Sequence, residues 1–195
     1  MKVDAVILAA GESKRMRSPK MLLPFKGSTI IECVIMNTLA SEVASVTVVT
    51  GAWKDDIEKV ISRYDVNIVF NGNYSDGMLS SVRCGIGSLP DGCDAALVIP
   101  GDMPLITGDV INEVINSYIT SRKRIIIPVC RGRRGHPLLV SSELFGDIGR
   151  LDKNEGLRQL AEWYPADVYE TETNNDSILK DIDTGKEYRK EINSN

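Results

Sequence analysis

The sequence predicts an α/β fold, with a mostly parallel central sheet and helices on both faces. Three observations carry this reading. Short apolar runs rich in Val, Ile and Leu alternate with segments whose apolar residues recur at helical spacing, from Val3 through Val129. The runs are continuously apolar rather than alternating, the mark of strands covered on both faces. Polar or glycine-containing turns close each run. Strand and helix in this alternation require parallel βαβ units with right-handed crossovers.

The elements follow in order. Val3–Ala9 is the first strand. Ser28-Thr29 can cap a helix carrying Ile31, Val34, Ile35 and Leu39. Ser45–Thr50 is the second strand, and Trp53, Ile57, Val60, Ile61 and Tyr64 then share one helical face. Val66–Phe70 is a strand followed by a polar loop over residues 71–77. Met78, Leu79, Val82, Ile86 and Leu89 mark a third helix. Ala95–Pro100 is a strand, and Thr107 can cap a helix running to Ile119. Arg124–Val129 is a strand, Cys130–Gly135 a basic loop, and Pro137–Val140 a short strand. Ser141–Ile148 and Glu155–Trp163 read as helices, Asp167–Thr171 as a strand and Thr184–Ile192 as a last helix, with residues 193–195 frayed. No internal repeat, linker or low-complexity segment divides the chain, so one domain over residues 1–195 is expected.

The bulk numbers bound the function. Hydrophobic residues at 43% and charged residues at 26% are ordinary for a globular protein. A net charge of −4 argues against a broad nucleic-acid surface, so local clusters of cations suit a small anion instead. Cys33, Cys84, Cys93 and Cys130 show no C-x-x-C spacing, and one histidine offers little to a metal, so reduced thiols are expected. The chain enters a core strand without a leader, and no apolar run reaches the length of a membrane span. A cytoplasmic protein with neither nucleic acid nor membrane as partner is expected.

Candidate chemistry gathers beyond the carboxyl ends of the strands, where open α/β sheets bind ligands. The first loop is neither G-x-G-x-x-G nor G-x-x-x-x-G-K-[ST]. Ala9, Ala10 and Gly11 could bring backbone amides to phosphates, with Ser13, Arg15 and Lys20 close behind; Arg15 offers a planar fork and Lys20 a point charge. Lys14 and Arg17 suit a solvated basic turn. Asp102, in Gly-Asp-Met-Pro, is either a magnesium ligand or a turn-forming residue. Asp181 and Asp183 would share a face of an extended segment, but Asp183 could equally cap the last helix. His136 lies in Arg133-Arg134-Gly135-His136-Pro137, where a lone histidine is more often structural than catalytic, and no hydrolase triad is visible.

The stretch from Leu8 through Ala9, Ala10, Gly11, Glu12, Ser13, Lys14, Arg15, Met16, Arg17, Ser18 and Pro19 to Lys20 resembles the signature of the MobA-like nucleotidyltransferases. Four further segments agree in order: Asn71 through Gly77 to Gly85, Pro100-Gly-Asp-Met-Pro104, Gly135-His136-Pro137 and Asp181-Ile-Asp-Thr184. Together they resemble the branch of molybdenum cofactor cytidylyltransferases and molybdenum hydroxylase accessory proteins. The resemblance implies a Rossmann-like three-layer α/β/α fold of the nucleotide-diphospho-sugar transferase type. It implies transfer of a CMP or other NMP group from an NTP, CTP being favoured, to the terminal phosphate of molybdopterin, with release of pyrophosphate. Arg15, Lys20 and Asp102 would be catalytic. Leu8, Ala9, Ala10, Gly11, Ser13, Asn71, Gly77, Ser80 and Ser81 would contact the nucleotide alongside Arg15 and Lys20. Asp102 and Asp183 would hold Mg²⁺, and Gly135 and His136 would face the acceptor. A molybdenum hydroxylase apoenzyme would be a partner further along. Arg17 departs from the family's glycine. Two alternatives stand beside this reading: a sugar-phosphate or alcohol-phosphate nucleotidyltransferase with the same loop and metal, and a non-catalytic molybdenum cofactor chaperone.

Overall fold

The computed structural model describes residues 1–16 and 18–192. The expectations made for Arg17 and for residues 193–195 lie outside the described residues.

The strands and helices run β1 (Val3–Ala9), β2 (Pro24–Phe25), β3 (Ser28–Thr29), α1 (Ile30–Leu39), β4 (Val46–Thr50), α2 (Lys54–Ile61), β5 (Asn67–Phe70) and α3 (Met78–Gly87). They continue with β6 (Ala95–Pro100), α4 (Gly108–Ser121), β7 (Ile125–Cys130), β8 (Arg133–Arg134), β9 (Leu138–Ser141), α5 (Phe145–Ile148), α6 (Arg158–Trp163), β10 (Val168–Glu172) and α7 (Gly185–Ile192). The main sheet of the described residues has the order β10-β7-β9-β6-β1-β4-β5, with β8 paired to β7. β1 lies parallel between β4 and β6, with Ile7 level with Val48 and Ile99. β10 is parallel to β7, whereas β9 runs antiparallel to both β6 and β7.

Alternation of side chains along β1 builds the layers. Val3, Ala5, Ile7 and Ala9 join one buried cluster with α1, α2 and α4, through Ile35, Ile57 and Val114 among others. Val6, Leu8 and Ala10 join a second with α3, α5 and α6, through Val82, Ile148 and Leu160. Helices on both faces of a mostly parallel sheet give the three-layer α/β/α architecture expected from the sequence.

Most boundaries agree within a residue or two, and the differences have local causes. Between β1 and α1 the chain forms a 3-10 turn at Lys20–Leu22 and the small β2–β3 hairpin, neither of which the sequence reading contained. Ser141 ends β9, its N–H donating to the Arg124 carbonyl, so the helix expected from Ser141 reduces to a 3-10 turn at Ser142–Leu144 and α5. The helix expected from Glu155 begins at Arg158, because Glu155 and Gly156 turn back to the Asp152 carbonyl. Thr107 takes the N-cap position of α4 but makes no side-chain cap. No helix of the described residues is long and apolar enough to cross a membrane.

Thr29 does cap α1, in a reciprocal box with Glu32. Glu32 is 4% exposed and accepts from the Thr29 N–H at 2.9 Å, the Thr29 hydroxyl at 2.7 Å, the Ser28 hydroxyl at 2.8 Å and the Tyr64 hydroxyl at 3.1 Å. The Arg63 guanidinium also pairs with it. Burial opposes ionisation of this carboxyl, but these donors overcome it and bring its pKa from 4.5 to about 2. A depressed pKa contributes stability that is complete above the unfolded value near 4.5 and is lost as pH falls through about 2. Glu32→Gln is therefore expected to cost on the order of 1–3 kcal/mol of stability, most fully above pH 5, and to lower Tm there. Thermal melts of both proteins between pH 2 and 7 should show the gap closing at the acid end.

Candidate active site

An open cleft of about 810 Å³ lies beyond the carboxyl ends of β1, β6 and β7. Its floor is an ion cluster drawn from three distant segments. Lys20 opens the 3-10 turn after the first loop and is 8% exposed. Its Nζ donates to Asp102 Oδ2 and to Asp183 Oδ1, each at 2.6 Å. Arg15 Nη2 donates to the other oxygen of Asp183 at 2.5 Å. Backbone bonds fix the carriers: the Gly101 N–H meets the Leu8 carbonyl and the Ile182 N–H meets the Asp102 carbonyl, both at 2.9 Å.

The charges set one another. Burial alone would weaken proton binding by Lys20, but Asp102 and Asp183 outweigh it and raise its pKa. Burial likewise opposes ionisation of Asp183, yet Lys20 and Arg15 hold its carboxyl below the usual range. Asp181 is pushed the other way, by burial and by the charges of Asp183 and Asp102. The cap of α7 falls to Thr184, whose hydroxyl accepts from the Glu187 N–H at 3.3 Å while Glu187 accepts from the N–H groups of Asp183 and Thr184. Asp183 is thus relieved of the capping role and its carboxylate faces the cleft. Among the described residues, no group of three or more His, Cys, Asp or Glu side chains is arranged to hold a metal ion.

The first loop forms one wall. Leu8, Ala10, Gly11, Ser13 and Arg15 line the cleft, whereas Ala9 is fully buried in the opposite core cluster. Ser13 adopts φ +53°, and its hydroxyl accepts from the Lys20 N–H at 3.3 Å. Lys14 pairs with Glu12 at 2.7 Å, and the Trp53 indole donates to the Glu12 carbonyl at 3.3 Å.

Of the 71–81 segment, Gly77 and Ser81 line the cleft, and so do Tyr74, Ser75 and Met78, which the sequence reading had not singled out. Gly77 sits at φ +98°, a conformation open to glycine, and starts α3 with no side chain over its first N–H groups. Asn71 and Ser80 do not line this cleft; both border a separate cavity. Asn71 donates to Ser80 and Ser81 at 2.8 and 3.1 Å and accepts from the Asn73 N–H, while Ser80 donates to the Asn73 and Gly77 carbonyls. These two residues knit the loop together.

Gly135 and His136 lie on the far wall with Arg133, Arg134, Ile178 and Leu179. The His136 N–H donates to the Ile178 carbonyl at 3.0 Å. Burial lowers the pKa of the imidazole, against the charge of Asp102, so the ring is neutral at pH 7. Its Nδ1 is buried and has no partner among the described residues. The missed residues of this wall carry no signal beyond basic and apolar residues in turns.

Comparison with known proteins resolves the family. Residues 5–168 match the model of the MobA-like NTP transferase domain. The chain belongs to that family. It is 29% identical to the molybdenum cofactor cytidylyltransferase of Escherichia coli (strain K12) over 95% of this chain and 93% of that protein. It is also 29% identical to a nicotine blue oxidoreductase of Paenarthrobacter nicotinovorans over 93% of this chain and 92% of that protein. The solved structure of Rv0371c from Mycobacterium tuberculosis H37Rv superposes with a TM-score of 0.88 at 21% identity, covering 99% of this chain and 98% of that one. The chain is thus a MobA-like nucleotidyltransferase by family. Asp181 and Asp183 lie beyond the matched stretch.

A Cβ on Gly135 would strike the Ile178 carbonyl oxygen, so this glycine sets the distance between the far wall and the 176–179 turn. Gly135→Ala is expected to cost about 1–3 kcal/mol as that turn moves. Chemical denaturation should measure the loss, while Gly87→Ala, which meets open space, should show no such clash.

Proposed function

We propose that this protein transfers a nucleotidyl group, CMP from CTP by preference, to the terminal phosphate of molybdopterin, releasing pyrophosphate. The observation that carries the reading is the buried Lys20 ammonium, shared by Asp102 and Asp183 directly behind the loop Ala10–Arg15. In this reading the backbone N–H groups of Ala10, Gly11 and Ser13 face the triphosphate, as suits a loop at a strand's carboxyl end. Arg15 and Lys20 turn part of their charge from the carboxylates to the phosphates. Gly77, Met78 and Ser81 border the base and ribose. An acceptor phosphate oxygen attacks the α-phosphorus, the bond to the β-phosphate oxygen breaks, and pyrophosphate leaves with the electron pair. The nucleophile is already anionic, so no general base is needed. Positioning and charge stabilisation supply the rate.

The carboxylates fit Mg²⁺. Asp102 and Asp183 are hard oxygen donors that already share one cation, and burial together with their negative charge raises the pKa of Asp181 beside them. With no three-ligand cluster among the described residues, the remaining positions would fall to substrate oxygens and water, the usual habit of Mg²⁺. When bound, the ion neutralises charge on the triphosphate. A cytoplasmic setting, with a molybdenum hydroxylase as recipient of the product, completes the reading; the four free cysteines suit a reducing compartment.

Incubation with [α-³²P]CTP and Mg²⁺, with and without molybdopterin, tests it. Label should enter product only with the pterin, and CTP should exceed GTP, ATP and UTP. Label entering sugar phosphates would favour the wider nucleotidyltransferase reading. No transfer would leave a cofactor chaperone, or a redox role of the kind the oxidoreductase relative's name describes. Lys20→Ala is expected to lose on the order of 10²–10³ in kcat by removing a charge-stabilising donor.

A further inference from the structure

The floor of the cleft already carries its own cation. Lys20 Nζ stands 2.6 Å from Asp102 Oδ2 and 2.6 Å from Asp183 Oδ1. Arg15 takes the remaining oxygen of Asp183 at 2.5 Å. Three of the four oxygens of this carboxylate pair are thus engaged by cationic side chains.

The two cations are not equivalent. The Arg15 side chain is 67% exposed and can swing into solvent, whereas that of Lys20 is 11% exposed. The main chain of Lys20 is pinned on both sides. Its N–H donates to the Ser13 hydroxyl at 3.3 Å, and its carbonyl accepts from the Leu23 N–H at 3.1 Å. A retreat of the ammonium into water would have to move the turn that carries it. The carboxylates are fixed as well, by the Ile182 N–H on the Asp102 carbonyl at 2.9 Å and by the Asp183 N–H on Glu187 at 3.0 Å.

A divalent ion on Asp102 and Asp183 needs the oxygens that Lys20 holds. If the ammonium stays, two cations crowd one pair of carboxylates. If it leaves, a buried charge loses its partners. A polyphosphate resolves both, because its oxygens accept the displaced ammonium. We propose that Lys20 is a lock on the metal site: it keeps divalent cations off Asp102 and Asp183 in the nucleotide-free protein, and yields the carboxylates only to a metal that arrives with a polyphosphate. Metal and polyphosphate then bind cooperatively, each raising affinity for the other by the same factor. The proposal takes its polyphosphate, a nucleoside triphosphate, from the transferase reading. The lock belongs to the three side chains alone and is measured without nucleotide.

The test uses the full-length protein as wild type, Lys20→Met, Lys20→Arg and Asp102→Asn, with Mn²⁺ as the probe and no nucleotide. Free Mn²⁺ is counted by its electron paramagnetic resonance signal, and melts with and without the ion are run in parallel. Lys20→Met keeps an unbranched stem and removes the charge. It should bind one Mn²⁺ on the order of 10–100-fold more tightly than wild type, the size of a typical coupling between sites, and the ion should raise its Tm. Lys20→Arg retains a cation and should exclude Mn²⁺ as wild type does, which separates loss of charge from disturbance of the turn. Saturating CTP should enlarge the Mn²⁺-induced shift in Tm for wild type and far less for Lys20→Met. Metal merely carried in by the nucleotide predicts the same gain in both, and that result overturns the proposal. Equal Mn²⁺ affinity in wild type and Lys20→Met without nucleotide also overturns it. So does tight binding by wild type alone that Asp102→Asn abolishes, a measurement that needs no lysine variant to fold. A Mn²⁺ site opened by Lys20→Met, in a protein whose wild type transfers no nucleotide, supports the lock and overturns the transferase reading instead.

Discussion

One buried ammonium group holds the cleft in register. Lys20 Nζ meets Asp102 and Asp183 at 2.6 Å each, and those carboxylates come from the end of β6 and from the segment before α7. Burying three charges is costly in itself, and the mutual attraction offsets that cost only while all partners are present. Removing one member of such a cluster typically costs about 3–5 kcal/mol, because it strands an uncompensated charge. Without the lysine, two carboxylates would face each other across the floor with Asp181 nearby. The same cluster therefore keeps the loop, the sheet and the C-terminal segment mutually aligned, and holds in place the charges that a triphosphate would meet.

The sheet explains why the cluster forms where it does. From β1 the chain builds outward through β4 and β5 and then returns past β1 to lay β6 on its other side, so the strand order reverses at β1 and β6. Open α/β sheets bind ligands at such reversals. β9 then inserts antiparallel between β6 and β7, setting the β7–β8 hairpin one strand further out. That spacing gives the cleft two separated walls, one formed by the loop after β1 and one by the hairpin and the 176–179 turn.

Much of this was legible from residue order. The strands were visible because continuous β-branched runs have few other places to go, and Ser28-Thr29 announced the start of α1, though not the reciprocal bond with Glu32 that completes its cap. Lys20, Asp102 and Asp183 were legible as residue types, though not as partners, since nothing local links positions so far apart. Ala9 shows a reading that stopped short: strand alternation sends it to the face opposite Leu8 and Ala10, into the core. The resemblance implied Asn71 and Ser80 as nucleotide contacts; in the structure their side chains hydrogen-bond within the loop itself. Asp183 could have been a cap until Thr184 and Glu187 took that role three residues apart. Tyr74, Ile178 and Leu179 lie in turns, where no periodicity reports which way a side chain faces.

Lys20 and Asp183 are separated by 163 positions. A ribosome releases Lys20 long before Asp183, so the sheet strands β1, β4 and β6 are all available before the floor can close. During that interval Lys20 has only Asp102 as a partner, and the loop Ala10–Arg15 has no Asp183 to anchor its arginine. The segment from Asp181 to Tyr188, pinned by the Tyr188 hydroxyl to the Pro24 carbonyl at 2.6 Å, then acts as the final fastening of the cleft. Closure of the floor therefore waits for the segment beyond β10, after the core that supports it is already in place.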